Sequence, residues 1–559
     1  MVMRLRSGSS VGPVRRTVRQ PQSWLVILLM VVVAASAAAQ PGDILPATTS
    51  TADHRQFEAL QGPFATGPDV TRACLGCHTE AAKQVHDSIH WTWEYTHPTT
   101  GQRLGKRYVV NNYCGSITTN YPRCTSCHVG FGWEDASFDF SREENVDCLV
   151  CHDTTGDYVK FPTGAGHPPY QDRVFGGKTI AAPDLTQVAQ NVGPTSRETC
   201  GNCHFKGGGG DGVKHGDLDS SLYHPSKSVD VHMDSEGLNF SCSTCHEFNN
   251  HIQQGSRYLV KAKSTEGVTV PGRENARPSC ESCHGSAPHE AGIHDKLNEH
   301  SDSVACQTCH IPTFARGGRP TKTWWDWSTA GQLNADGKPV IRKAGGLVTY
   351  HGKKGDFVWD ENVVPEYRWF DGTVRYTLLG ESLDPSNGPV ELNTVTGSPD
   401  DPNSRIWPFK VMRGIQPYDS GHNQLVIEYL FGKDEAAFWK SFDWGKAIEV
   451  AMTEAKQVGQ THVDYSGEYG FTETEMYWPL AHMVAPADEA LTCESCHRAD
   501  GRLENVEGFY LPGRDRHPLL ELAGLSLIGL TFLGVVGHGA TRMVTARICR
   551  TRTKAEDEE

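Results

Sequence analysis

Eight copies of one five-residue pattern, Cys-x-x-Cys-His, run through this 559-residue chain. They are Cys74, Cys77 and His78; Cys124, Cys127 and His128; Cys148, Cys151 and His152; Cys200, Cys203 and His204; Cys242, Cys245 and His246; Cys280, Cys283 and His284; Cys306, Cys309 and His310; and Cys493, Cys496 and His497. Two cysteines three apart match the two vinyl groups of one porphyrin as thioethers, and the adjacent histidine reaches the iron as proximal ligand. A lone pentad would leave zinc or thiol redox chemistry open. Eight, each closed by His, point to eight covalently bound c-type haems. The pentads use 16 of the 18 cysteines, which excludes a disulfide scaffold. Cys114 and Cys549 are left over.

Eighteen histidines lie outside the pentads, enough for a distal ligand on every iron. Those closest in sequence to a pentad are the best candidates, because a short loop keeps them near a porphyrin. His90, His215, His232, His251, His289, His300 and His482 are favoured, with His86 and His294 as close substitutes. His54, His97, His351, His422, His462 and His517 read as ordinary surface or core residues. Seven irons with two histidines each form a wire, since a six-coordinate iron has no place for substrate. Catalysis needs one iron whose sixth position is open or weakly held.

Longer motifs carry a resemblance. Val110-Asn111-Asn112-Tyr113-Cys114 followed by Pro122 to Trp133, Gly207 to Leu218, Val304 to Pro312, Gly467 to Pro479, His482 to Pro486 and Leu511 to Asp515 resemble the octahaem tetrathionate reductase family over roughly residues 70–515. The resemblance implies that the second haem, held by Cys124, Cys127 and His128, is catalytic and has lysine as distal ligand. Two lysines follow an Asp at the implied three-residue offset: Lys214 after Asp211, and Lys160 after Asp157. Lys214 is preferred, because its surroundings are the family-like ones and it adjoins His215. The resemblance also makes Cys114 an active-site thiol with Asn111 beside it, and Asp211 and Lys214 suppliers of charge or protons. A sulfur nucleophile beside an iron can accept a sulfenyl sulfur from a polythionate. The implied activity is reduction of tetrathionate, nitrite or hydroxylamine. The alternatives are an enzyme dedicated to nitrogen compounds, or a non-catalytic conduit from quinol to a terminal reductase.

The elements that carry these groups are expected to be short. Seven pentads crowd into residues 74–310 at irregular spacing, unlike a solenoid repeat. Gly207 to Gly210 and Pro168-Pro169 resist long regular elements. The expected fold is a multihaem cytochrome c, mainly α and loop-rich, with a haem-packed core and few short strands. Residues 71–315 would form the seven-haem region, and 316–515 a wrapping region that carries the eighth haem. The latter shows a β-like run at Gly346 to Tyr350 and a helical pattern over 434–458. Its tryptophans (Trp324, Trp325, Trp327, Trp359, Trp369 and Trp407) read as packing against haem edges and core.

The ends give an address. Arg4 to Arg19, the apolar stretch Trp24 to Val33 and Ala37-Ala38-Ala39 read as a signal peptide over 1–39, followed by a linker over 40–70. Residues 518–541 read as one transmembrane helix, and the Arg-rich tail 542–559 as cytoplasmic. His538 and Cys549, at and beyond that span, read as bystanders. The body would then sit at the periplasmic face of the inner membrane. Its electron donor would be a quinol-oxidising membrane partner or a periplasmic cytochrome. A net charge of −15 argues against nucleic acid as a partner.

Overall fold

The computed structural model describes residues 52–258, 260, 278–292 and 294–556. The expected signal peptide lies outside them. Residues 53–70 do not behave as a linker. His54–Gln56 and Glu58–Leu60 form short helical turns, and Leu60 is buried with Val70, Leu149 and Leu185. Helix α1, Gly67–Leu75, then runs into the first pentad, with the Asp69 carboxylate accepting from Thr66 N at 2.8 Å. Helix α2, Arg197–His204, contains the whole fourth pentad and starts at Ser196, whose side chain caps Thr199 N.

The main departure from the sequence-based expectation lies beyond residue 320. Few short strands were expected there; a nine-stranded sheet forms instead. Its strands are β1 (Thr321–Asp326), β2 (Ile341–Ala344), β3 (Leu347–His351), β4 (Gly355–Asp360), β5 (Glu366–Phe370), β6 (Val390–Glu391), β7 (Arg405–Asp419), β8 (Gln424–Leu425) and β9 (Tyr469–Pro479). The order is β6-β9-β7-β1-β4-β3-β2, with β5 and β8 also paired to β7. β7 is 15 residues long and pairs antiparallel with the whole of β9 from Phe409 to Asp419. It escapes sequence patterning because Pro408 and Pro417 argue against a central strand, and because its burial is nearly continuous instead of alternating.

Helix α3, Trp444–Gln457, packs Trp444, Ala447, Ile448, Ala451, Met452 and Ala455 into the largest apolar core. That spacing is a helical stripe, and Asp443 caps it through Lys446 N at 3.1 Å. The tryptophans are largely structural: Trp325 stacks on Trp327 at 4.9 Å, and Trp407 meets Phe370. The two halves are stitched together by Asn112 Nδ2 on Met412 O (2.8 Å), Asn120 Nδ2 on Glu428 O (2.8 Å) and a buried Arg405–Glu281 pair.

Helix α4, Pro518–Glu556, does not stop at Thr541 but continues through most of the expected tail. Its Pro518–Arg552 stretch has mean hydropathy 2.1 over its most apolar part and none of that part is buried, so by length and composition it can cross a membrane.

Ile448 is fully buried on α3 and its neighbour Glu449 faces solvent. Ile448→Ala is expected to lower stability by about 2–5 kcal/mol, whereas Glu449→Ala should stay within about 0.5 kcal/mol. Denaturant midpoints of the two variants check this.

Candidate metal centres and active site

Seven of the eight pentads fold as a turn of helix. His78 N donates to Cys74 O at 2.9 Å, and the same bond closes the third, fifth, sixth and eighth pentads at 3.1, 2.8, 2.9 and 2.9 Å. The fourth lies inside α2 and the seventh forms the short helix Cys306–His310. Residues i, i+3 and i+4 of such a turn share one face, so both cysteines and the histidine address one ligand. The second pentad differs. Its Thr125–Cys127 stretch is a tighter 3₁₀ turn, and His128 N bonds Thr125 O at 2.9 Å.

Seven proximal histidines each face another histidine. Ring centroids stand 6.4 Å apart for His54 and His78, 6.0 Å for His90 and His204, and 6.4 Å for His152 and His251. The others are His232 and His284 at 6.0 Å, His246 and His482 at 6.1 Å, His289 and His310 at 6.3 Å, and His300 and His497 at 6.1 Å. An imidazole nitrogen bonds a metal at about 2.0 Å and lies about 1.1 Å from its ring centre, so two rings on one iron stand about 6.2 Å apart. All seven couples fit an iron between them. Several rings are also fixed through Nδ1, which leaves Nε2 for a metal. His152 uses Gly193 O (2.8 Å), His246 uses Gln254 O (2.9 Å) and His497 uses Pro512 O (3.2 Å). His251 uses Gln84 Oε1 (2.8 Å), His289 uses Asn298 Oδ1 (3.1 Å) and His482 uses the Asp217 carboxylate (3.1 Å).

Six of the seven favoured distal histidines thus stand opposite a proximal one. His215 does not: it lies edge-on to Trp478 at 4.9 Å. His54 takes the remaining place, because the turn at 54–56 brings it back over the first pentad.

His128 has no such partner; among the described residues no second histidine ring stacks on it. It is fully buried in an aromatic box of Trp91, Trp93, Trp133 and Phe138, at centroid distances of 5.1, 5.2, 4.9 and 5.7 Å. Nε2 lies 2.7 Å from Trp91 O and Nδ1 is buried without a partner. Burial pushes its pKa down to about 3, favouring the neutral ring.

The two candidate lysines have different surroundings. Lys160 Nζ forms a buried ion pair with Asp147 at 3.0 Å and also donates to His128 O. Asp147 is held in turn by Tyr158 Oη at 2.9 Å. Lys214 Nζ lies 5.2 Å from the Trp478 ring. Burial, then the charges of Arg257 and Lys106, drive its pKa well below the usual lysine range. The backbone of Lys214 is fixed from the sheet: fully buried Lys410 on β7 donates to Val213 O (2.9 Å) and Thr321 Oγ1 (2.6 Å). Burial brings Lys410 down to about 7. Lys410 and Trp478 are direct cross-strand neighbours in the β7–β9 pairing.

Cys114 lies within charge–charge range of the Cys124 thiol and of Lys322 and Lys354. Asn111 Oδ1 accepts from Cys114 N (2.7 Å) and Tyr113 N (3.2 Å), so Asn111 shapes the turn that presents the thiol. The Asp211 carboxylate braces Ser220, accepting from its N at 2.9 Å and from its hydroxyl. Arg257, Trp478, Lys322 and Lys410 were not singled out from sequence. Only Trp478 lay in a quoted motif, and an isolated Arg or Lys in a loop or strand carries no spacing signal.

Neighbouring pentads touch through their cysteines. Cys74 lies beside Cys148, Cys127 beside Cys203, Cys200 beside Cys242 and Cys280 beside Cys306. Cys151 with Cys200, Cys245 with Cys280, and Cys309 with Cys496 lie within charge–charge range. The order is therefore 1-3-4-5-6-7-8, with the second pentad branching from the fourth.

A family model for bacterial cytochrome c matches residues 322–500. The crystal structure of an octahaem cytochrome c from Shewanella oneidensis matches with 42% identity and a TM-score of 0.70, covering 84% of this chain and 98% of that one. A search of curated proteins finds no match. With that identity over that coverage, the chain belongs to the octahaem cytochromes c and is a redox protein with covalently attached c-type haem.

Proposed function

We propose that the protein is an octahaem reductase of small oxidised sulfur or nitrogen compounds, anchored by α4 at the periplasmic face of the inner membrane. The observation that carries this reading is the asymmetry among the proximal histidines: seven face a second histidine and His128 does not. When bound, the iron at His128 would supply electrons and a substrate coordination position. Lys214 is the candidate distal amine, since the Lys160 amine is already committed to Asp147 and to the His128 carbonyl. A neutral amine is the form that binds a metal, and the environment of Lys214 favours it. Cys114, flanked by Lys322 and Lys354, is the candidate thiol for taking up a sulfenyl sulfur. Tetrathionate would take two electrons and leave as two thiosulfates.

The pentad order suggests where those electrons come from. The eighth pentad is one end of the series, and its His497 is braced by Pro512, six residues before α4 begins. Arg542, Arg547, Arg550 and Arg552 on the far part of that helix support a cytoplasmic C-terminus. A membrane quinol-oxidising donor would thus meet the eighth haem, and the fourth pentad would pass electrons to the second.

Two measurements test this. Lys214→Ala should change the high-spin EPR signal and cut viologen-driven turnover of tetrathionate and nitrite, whereas Lys160→Ala should act mainly through stability. Wild-type spectrum and activity in Lys214→Ala, or eight low-spin irons inert to nitrite and cyanide in the native protein, would sink the reading. Separately, haem assay should return eight haems per chain, and His54→Ala should keep all eight while adding one high-spin iron.

A further inference from the structure

We propose that Arg257, together with the Trp478 indole, forms an oxyanion-binding subsite beside Lys214, so that the substrate is taken as an anion. The proposal rests on the reading of Lys214 as part of the catalytic site and adds the chemical class that the site selects.

Trp478 is the shared surface. The Arg257 guanidinium lies 4.5 Å from its ring centroid and Lys214 Nζ 5.2 Å. Arg257 uses one terminal nitrogen, Nη2, on Tyr258 Oη, and its cation also lies 4.7 Å from the Tyr258 ring. Its other terminal nitrogen, Nη1, is buried without a hydrogen bond of standard geometry, the Tyr113 phenol being the nearby oxygen that acts on the guanidinium; Trp478 Nε1 is likewise buried without a partner. Among the described residues no carboxylate forms an ion pair with Arg257, and the acidic groups that act on it are the phenols of Tyr258, Tyr376 and Tyr113. Two buried donors without well-formed hydrogen bonds, one of them on a permanent cation, are costly to leave unmet. Lys106 adds a further positive charge to the Lys214 surroundings. In a chain of net charge −15 this is a local reversal of sign, which concentrates small anions.

The missing partner must therefore bring acceptor oxygens and negative charge. Guanidinium forks suit carboxylate-like and sulfonate-like oxygens. Tetrathionate, with a sulfonate at each end, and nitrite both meet that requirement. Hydroxylamine, neutral at pH 7, does not. The same acceptor chemistry is available from a second source, the carboxylate side chains of a bound haem.

Holo Arg257→Gln and Arg257→Lys chains distinguish these. Nitrite is titrated optically into the oxidised protein and tetrathionate calorimetrically, and haem potentials and hydroxylamine turnover are recorded alongside. The expected result is nitrite and tetrathionate Kd values raised about 10- to 100-fold in Arg257→Gln, with partial recovery in Arg257→Lys. The loss for both anions should exceed the loss for hydroxylamine by about tenfold or more, at unchanged haem content and potentials. Unchanged anion binding in Arg257→Gln overturns the proposal. So does an equal loss for all three substrates with a shifted potential, which assigns Arg257 to a haem carboxylate. Absence of anion binding by the native protein overturns it too. If Lys214→Ala behaves as catalytic but Arg257→Gln binds normally, only the subsite fails; if Lys214→Ala is silent, the catalytic reading fails first.

Discussion

Pairs of imidazoles held 6.0–6.4 Å apart set the terms on which the rest of this chain folds. At that distance two rings gain little from each other, so neither can hold its partner in place. Each ring is instead oriented by its own element. The proximal histidines sit at the end of a single helical turn, and many rings on both sides are tied down through Nδ1. Where that tie is a carboxylate, as for His482 on Asp217, the orientation is strongest. Many of the described apolar residues before 315 accordingly fall into several small clusters, while others, such as Leu104, Val110 and Val213, join the one large cluster that forms against the sheet. A region whose interior is reserved for cofactors cannot close a single side-chain core of its own.

The second pentad breaks each of these habits, and the departures share a cause. Its 3₁₀ turn, its aromatic box and the Lys160–Asp147 pair all lie against the backbone or ring of His128. A buried ion pair of this kind contributes little net stability, but removing either partner leaves an uncompensated charge. It therefore holds one arrangement of the pentad against alternatives. Lys160 is held by that structural task, whereas the Lys214 amine forms no ion pair among the described residues. Two lysines that look equivalent as Asp-x-x-Lys strings are separated by what surrounds their amines.

The pentads were fully legible in sequence because covalent chemistry demands adjacent residues. His90, His232, His251, His289, His300 and His482 each stand opposite a proximal ring, but of a different pentad from the one nearest in sequence, so sequence proximity to a pentad does not give the pairing. His54, read from sequence as an ordinary residue, is brought opposite His78 by the turn at 54–56, which no sequence pattern signalled. His215, adjacent to Lys214 in sequence, is turned onto Trp478 instead. The sheet was illegible where it mattered most. β7 is covered on both faces and carries two prolines, so it shows neither alternation nor a clean strand composition.

That sheet does more than wrap the molecule. Lys410 on β7 and Trp478 on β9 are opposite one another in register and so project from the same face. One grips the carbonyls of Val213 and Lys214, and the other floors the Lys214 amine and the Arg257 guanidinium. Because side chains alternate across a strand, a slip of one residue would send one of the pair to the other face and undo both contacts. The register is pinned by eleven consecutive pairs between Phe409 and Asp419 on one strand and Tyr469 and Pro479 on the other. Asn112 Nδ2 adds a bond to Met412 O, two residues from Lys410 and in the segment that also presents Cys114. The thiol, the amine and the guanidinium come from three separate loops of the first half, and the β7–β9 pair of the second half gives two of them, Lys214 and Arg257, a common reference. The placement of Lys214 and Arg257 thus depends on strand register in a part of the chain that carries none of the second pentad's residues.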